Sequence, residues 1–503
     1  MIGMKKLELD FIPKQIEQSF DMNADKSDDS NIKSNQLNLN NIEAQVSVIM
    51  NSEIIQEPGA IFAFKNYAFD ELKKSRRKEG DHEELDMLEV FRLFSQLMIQ
   101  MNATSFYLMT GPTFNNWKIL DFFQQVIFTI VISGTIPMEC FLFISAFLGS
   151  YRLLQVQEAR GGYFTFKDAL KLIGRKLARL IPLYYITLFF GWAVSSRFFE
   201  GPLYGISKKL YLNCDKYWWT QLIFIGNFFP FMGEATQGCM YWSWFVQADV
   251  QLYSLIPLYL YLYRKSKTIA IAIMIFLSLF GIFYNIFEVY RLQLRAGPFA
   301  IENFDLFAIL FNKPYTKFQY HIPGVFFAIF YMELLRYRRA SDEVKKEKYF
   351  IIHYFTKANW IGQVFLLVGQ FLVVLTLFSN HEAVKDSYKW STLENAMYFG
   401  FNRPAYMIGI ILIYSAVVLG HFEGPRKLLN HDIIRAIGKL TYAIGLLCPI
   451  IINLALLGQE SAYYLAFWSV IYLCIGNLVV LLICSFLVYL MIEYPCKRLV
   501  YGI

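Results

Sequence analysis

Charged residues are scarce in this chain of 503 residues. Only 17% of them are Asp, Glu, Lys or Arg, whereas 56% are hydrophobic and 18% are aromatic. A soluble globule of this size needs more polar surface than that to face water on all sides. The composition therefore excludes an ordinary soluble protein and predicts an integral membrane protein.

Several catalytic signatures are absent as well. The sequence contains no Gly-rich phosphate loop, no His-Glu-x-x-His and no Cys-x-x-Cys, which are the patterns of P-loop nucleotide sites, zinc peptidases and dithiol or zinc centres. We therefore expect no metal site. The six histidines, which we predict to lie in loops or at the ends of spans, are at positions 82, 321, 353, 381, 421 and 431.

Long apolar runs are what the sequence does contain. A run of about 20 apolar residues crosses a membrane as a helix. We find about ten such runs, at 88–109, 137–154, 173–194, 245–263, 269–289, 322–335, 360–378, 406–419, 437–457 and 466–492. The predicted fold class is an all-α integral membrane protein, a bundle of about ten transmembrane helices.

Basic residues cluster after every second predicted span, and the sequence KKSRRK precedes the first span. By the positive-inside rule these clusters and both termini face the cytosol, or the matrix if the membrane is mitochondrial. The net charge of +7 follows this topology. We therefore expect no binding of nucleic acid.

Residues 1–84 form a polar N-terminal extension, rich in Asn, Asp and Ser, which precedes the membrane domain at 85–503. This composition cannot bury enough apolar surface to order itself. We predict that the extension and the outer helix faces contact other membrane protein subunits, in addition to membrane lipids.

Four of the seven cysteines lie in apolar runs, where a buried free thiol is the ordinary interpretation. Cys214 and Cys239 differ, since both lie in one aromatic loop on the side away from the basic clusters. That side is the oxidising one in the secretory pathway or the inner mitochondrial membrane. A disulfide between them is one interpretation and two free thiols are the other.

Several motifs occur in a recognisable order. They are ECFLFISAFLGSY, RKLARLIPLYY, a loop and span with Cys, Trp-Trp, Asn-Phe-Phe-Pro, Cys, Trp-Ser-Trp and Asp-x-Gln, then NKPYTKFQYHIPG and EYPCKRL. Together they resemble the acyltransferase 3 membrane family, in the eukaryotic branch named after nose resistance to fluoxetine. The resemblance covers residues from about 85 to the C terminus and implies an acyltransferase-3-like bundle of ten helices.

Members of this family move acyl groups, commonly from acyl-CoA, to hydroxyl groups, and a histidine is suited to act as the base. The resemblance places the first family histidine at Ala103, eleven residues after Arg92, and the second at Cys448 in KLTYAIGLLCP. A methyl group cannot accept a proton. The resemblance therefore implies no catalytic residue at these two degenerate positions.

Cys448 has two interpretations. A nucleophilic thiolate needs a neighbouring base or positive charge, and the surrounding AIGLLCPIIINL contains neither. A small buried hydrophobe beside Pro449 is the interpretation we favour. For Asn102, an interhelical hydrogen bond is likewise favoured over a role as an electrophilic helper.

Ionisable residues in apolar runs are functional candidates by default, because charge is costly in lipid. Arginines and lysines of this kind either form ion pairs between helices or bind the phosphate of a lipid or of CoA. The candidates for phosphate binding are Arg92, Arg175, Arg179, Lys317 and Arg403. The other positions that match the family are Ser145, Trp242, Trp244, Asp249, Gln251, Tyr442 and Glu493; for the two tryptophans, an aromatic belt at the membrane interface is the favoured interpretation.

The first functional hypothesis is a pseudoenzyme that has lost acyl transfer and uses no cofactor. It would serve as a structural or lipid-binding subunit of a larger membrane complex, for example a respiratory-chain assembly of the inner mitochondrial membrane. The alternative is an active O-acyltransferase that moves an acyl group from acyl-CoA to a lipid or small hydroxylated acceptor with another base. A transporter ranks last, because the spans after the sixth carry few ionisable residues.

Overall fold

The structure is a computed structural model, and it describes residues 83–198, 211, 213–229, 238–297, 310–422, 431–458 and 461–496. The predicted N-terminal extension lies outside the described residues, apart from its last two positions. The same holds for His82.

The described residues are nearly all helical, and among them Thr113 and Tyr463 form an isolated β-bridge with no sheet. The α-helices are α1 (Met87–Thr110), α2 (Lys118–Gln124), α3 (Val126–Ile132), α4 (Glu139–Ala159), α5 (Phe166–Phe198), α6 (Cys214–Leu222), α7 (Trp244–Tyr253), α8 (Ile256–Lys265), α9 (Lys267–Leu292), α10 (Phe318–Arg339), α11 (Asp342–Glu347), α12 (Phe350–Lys357), α13 (Asn359–Phe378), α14 (His381–Lys385), α15 (Thr392–Val418), α16 (Asp432–Leu457) and α17 (Phe467–Val488). The all-α prediction is thus confirmed for the described residues.

Six helical stretches of the described chain are long and apolar enough to cross a membrane: Val126–Ala159, Lys267–Leu292, Asn359–Lys385, Thr392–Val418, Asp432–Leu456 and Phe467–Cys496. They overlap the second, fifth and seventh to tenth predicted spans, whereas the count of ten is not confirmed. The run at 245–263 breaks between α7 and α8. The third predicted span lies in α5 and contains Arg175, Lys176 and Arg179, and these charged residues lower its hydropathy. All three line a cavity.

The main core lies where α4 and α10 meet. Gly324 of α10 lies so close to α4 at Ala146 that a side chain at 324 would force the two helices apart. Around this contact the ring of Phe147 meets those of Phe327 and Tyr414 edge to face. Small residues let helices approach closely in a membrane, and paired aromatic rings fill the remaining space.

A buried ion cluster joins α4, α10 and α15. Oε1 of Glu139, the first residue of α4, accepts hydrogen bonds from Nζ of Lys317 and Nη1 of Arg403, each at 2.7 Å. Nη2 of Arg403 also donates to Oγ1 of Thr135 at 3.1 Å. The Glu139 side chain is fully buried. One carboxylate therefore holds together three segments that are far apart in sequence.

We expect Glu139→Gln to lower the free energy of unfolding by about 3–5 kcal/mol, because two buried cations lose their carboxylate. Thermal unfolding of the purified protein in detergent measures this. The matched control is Glu158→Gln, which removes a half-exposed partner of Arg336 and is expected to cost less than about 1 kcal/mol. Adding Lys317→Met to Glu139→Gln is expected to recover part of the loss. Equal, small effects of the two single variants would contradict the role of the cluster.

Candidate ligand-binding cavity

A cavity of about 330 Å³ lies between α1, α4, α5, α7 and α16. Small-molecule sites range from about 300 to 1,000 Å³, so this cavity is large enough for a ligand head group. The site residues expected from the sequence that line it are Arg92, Ser145, Arg175, Arg179, Trp242, Asp249 and Tyr442. They come from different helices and the turn before α7, so only the fold brings them together.

The cavity lining has an excess of positive charge. Its basic residues are Arg92, Arg152, Arg175, Lys176 and Arg179, and its carboxylates are Asp86, Glu89 and Asp249. Arg175 and Arg179 stand on one face of α5 because residues four apart share a helix face. Guanidinium groups pair with phosphate oxygens through two parallel hydrogen bonds, so the lining suits a phosphate.

Lys176 also lines the cavity, although it is not among the residues marked by the family motifs. Its Nζ lies 2.6 Å from Oδ2 of Asp249, 2.5 Å from Oγ of Ser145 and 3.9 Å from the ring centre of Tyr253. The available sequence signal is its place inside RKLAR, between the two arginines. Its partners come from α4 and α7, which sequence spacing cannot reveal.

The cavity lining combines charged and apolar side chains. Arg152 lies near the C-terminal end of α4, whereas Phe141 lies in the first turn of the same helix. Ile99 of α1 and Leu446 of α16 also line the cavity. An amphiphile with an anionic group and an alkyl chain matches this mixed lining.

Ala103 and Cys448, the positions at which the resemblance places the family histidines, do not line the cavity. Ala103 and Cys448 lie in one apolar cluster with Ile452, and Cys448 is only 3% exposed. Ile99 and Gly445 do line the cavity; they precede Ala103 and Cys448 by four and three residues, which is about 6 Å or less along a helix axis. Both positions therefore lie about one helical turn from residues that line the cavity, and no histidine is among the described lining residues.

Lys317 and Arg403, the remaining candidates for phosphate binding, lie in the Glu139 cluster and not on the cavity lining. Trp244 is buried with its ring centre 5.2 Å from Nζ of Lys317. These contacts favour the ion-pair interpretation for this group. An aromatic belt at the membrane interface does not account for Trp244, because its ring is buried next to the ammonium of Lys317.

Gln251 and Glu493 also have partners within the chain. The Gln251 amide donates to the backbone oxygen of Phe224 at 2.6 Å and to Oδ1 of Asn227 at 2.9 Å. Glu493 lies 3.9 Å from Arg179. Asn102 donates to backbone oxygens at 131 and 132, which is a structural role.

Covalent and hydrogen bonds connect α7 and the described residues before it to the rest of the bundle. Cys214 and Cys239 form a disulfide. The Gln247 amide of α7 donates to Oε1 of Gln221 at 2.6 Å and to the hydroxyl of Tyr184 at 3.0 Å. These bonds join α5, α6 and α7, and so they fix the helix that carries Asp249 against the helix that carries Lys176.

The described histidines lie outside the cavity lining. His353 and His381 form hydrogen bonds with Tyr337 and Thr129. His321 lies in the first turn of α10 and is fully buried. His421 contacts the backbone oxygen at 355, and His431 caps α16.

We expect Cys448 to resist alkylation by N-ethylmaleimide in the folded protein, because apolar side chains enclose its thiol. Mass spectrometry of the alkylated peptides measures the labelled fraction, with protein unfolded in SDS as the reference. Cys484 and Cys496 are less buried and serve as internal controls in detergent. Labelling of Cys448 ahead of these two would favour a reactive thiol.

A family model described as an acyltransferase domain matches residues 88–490. Among curated proteins, nose resistant to fluoxetine protein 6 of Caenorhabditis elegans is 20% identical over 424 residues. The match covers 80% of this chain and 49% of that relative, so the chain spans about half the length of the curated relative it matches. No solved structure matches the chain.

Proposed function

The chain belongs to the acyltransferase 3 family, and from this premise we propose that it binds a phosphate-bearing amphiphile in its cavity and has lost the histidine-dependent acyl transfer of the family. The supporting observation is a contrast between two neighbouring regions. The cavity keeps its arginines, whereas Ala103 and Cys448 lie in a packed apolar cluster beyond it.

The ligand follows from the chemistry of the lining. The basic residues of the lining offer several hydrogen-bond donors to a phosphate group. The apolar side chains of the lining exclude water and accept a hydrocarbon chain. A phospholipid of the surrounding membrane combines both features. Acyl-CoA has the same chemistry and is the second ligand to test.

The loss of catalysis follows from the absence of a suitable base. A general base must reach the acceptor proton at about 2.6–3.2 Å, directly or through one water. The described lining residues include no histidine, and the pairs Glu89–Arg92 and Asp249–Lys176 hold two of its carboxylates in ion pairs. A cation thereby engages one oxygen of each of these carboxylates.

A structural role in a larger membrane complex, in the inner mitochondrial membrane or elsewhere, is part of the same proposal. The most apolar windows of α9 and of the stretches at Asn359–Lys385 and Phe467–Cys496 are only 22%, 28% and 22% buried within the chain. Lipid tails or other subunits cover such faces. Purification from the native membrane, followed by mass spectrometry of co-migrating proteins, distinguishes coverage by lipid tails from coverage by other subunits.

An active O-acyltransferase is the second candidate, and one observation favours it. Ser145 lies within hydrogen-bond distance of Lys176, which Asp249 holds in turn. A nucleophile, a base and an orienting group have this arrangement in several hydrolases and transferases. If this arrangement is catalytic, Ser145→Ala abolishes acyl-CoA turnover.

We expect Arg175→Gln to weaken binding of an anionic phospholipid about tenfold or more, because a charge-assisted hydrogen bond is lost. Native mass spectrometry or a radiolabelled lipid measures the binding. Arg336→Gln, which changes an arginine of α10 outside the cavity, is the matched control and is expected to bind as wild type does.

The same preparation is assayed for acyl-CoA turnover, and we expect none above a protein-free blank. Turnover that Ser145→Ala removes and Arg336→Gln leaves intact would support the alternative. Equal lipid binding by both arginine variants would show that the cavity is not the lipid site.

A further inference from the structure

Only one of the two carboxylate oxygens of Asp249 has a binding partner among the described residues. Its Oδ2 binds Lys176 at 2.6 Å, whereas Oδ1 is buried and has no hydrogen-bond partner among the described residues. Asp249 lines the cavity. A buried acceptor without a donor is unfavourable, and a ligand that supplies the donor recovers that free energy.

The chemistry of the surroundings limits which donor fits. Ionised carboxylates only accept hydrogen bonds, and a phosphate placed against Oδ1 would be repelled. A ligand ammonium would donate, but Lys176 already lies against this carboxylate and Arg179 lines the same cavity, so a further cation is unfavourable there. A neutral hydroxyl group meets neither obstacle.

Ser145 supplies a complementary group. Its Oγ accepts a hydrogen bond from Nζ of Lys176, so its own proton is directed elsewhere. Ser145 lines the cavity together with Asp249. An acceptor and a hydroxyl donor beside one ammonium are the groups that bind an alcohol, which both donates and accepts.

This hydroxyl site is next to the phosphate site. Arg175 and Arg179 flank Lys176 in α5, and Lys176 contacts both Ser145 and Asp249. We infer that the cavity binds a phospholipid with a free hydroxyl close to its phosphate, in which Asp249 and Ser145 bind the hydroxyl. This inference rests on the proposed lipid-binding function and names the class of lipid. A glycerol or inositol head group has such a hydroxyl, and so does the glycerol backbone of a lysophospholipid.

The test compares lipids that carry the same charge. Phosphatidylglycerol has free hydroxyl groups in its head group, whereas phosphatidylethanol of the same acyl composition has the same phosphate and no free hydroxyl. The full-length protein in detergent is titrated with each lipid and binding is followed by native mass spectrometry. We expect wild type to bind phosphatidylglycerol about tenfold more tightly, as expected for a hydrogen bond to a charged group.

Lysophosphatidylethanol, which has a backbone hydroxyl only, is the third probe. A preference for it over phosphatidylethanol with no preference for phosphatidylglycerol assigns the backbone hydroxyl as the ligand group. Equal binding of all three lipids by wild type overturns the inference and leaves the proposed function intact. Binding of none of them, and none of acyl-CoA either, overturns the proposed function itself.

Variants assign the preference to its residues. Asp249→Asn is expected to remove the preference for the hydroxylated lipid while phosphatidylethanol binds within about twofold of wild type. Arg175→Gln is expected to weaken all lipids and to keep their ratio. Asp432→Asn, which changes an exposed carboxylate at the start of α16, is the control. A preference that persists in a folded Asp249→Asn protein contradicts the role of this carboxylate.

Discussion

A single carboxylate oxygen of Glu139 holds the ammonium of Lys317 and the guanidinium of Arg403, each at 2.7 Å, inside the helix bundle. A buried charge is tolerated only when a partner of opposite sign replaces the water that it loses. Two cations on one carboxylate leave little freedom, so the start of α4, the turn before α10 and the middle of α15 have one relative position. Since Ser145 and Arg152 also belong to α4, the position of the cavity depends on this cluster.

The cavity itself is built by a second constraint, the fixed position of α7. The disulfide joins Cys214 of α6 to Cys239, shortly before α7, and the hydrogen bonds of Gln247 connect α7 to α5 and α6. This contact brings Asp249 to Lys176, and in the protein interior each of these groups compensates the charge of the other. The charges of the cavity are therefore part of the packing of the bundle as well as a site for ligands.

Ala103 and Cys448 stand apart from both of these constraints. They are small, and they lie with Ile452 in one apolar cluster. Neither belongs to the ion pairs of Glu139 or of Asp249. The position of the cavity and its charges therefore do not depend on the side chains at 103 and 448.

The sequence alone determined the membrane character, the all-helical class and the family, because hydropathy and short motifs depend only on residues near each other in the chain. It also marked Arg92, Arg175, Arg179, Ser145 and Asp249, all of which line the cavity. It did not separate them from Lys317 and Arg403, which bind Glu139, and for Lys176 it offered only the position between two arginines in RKLAR. Whether an ionisable side chain pairs with another residue or faces a cavity depends on contacts between helices that are far apart in the sequence. Only the tertiary structure decided that.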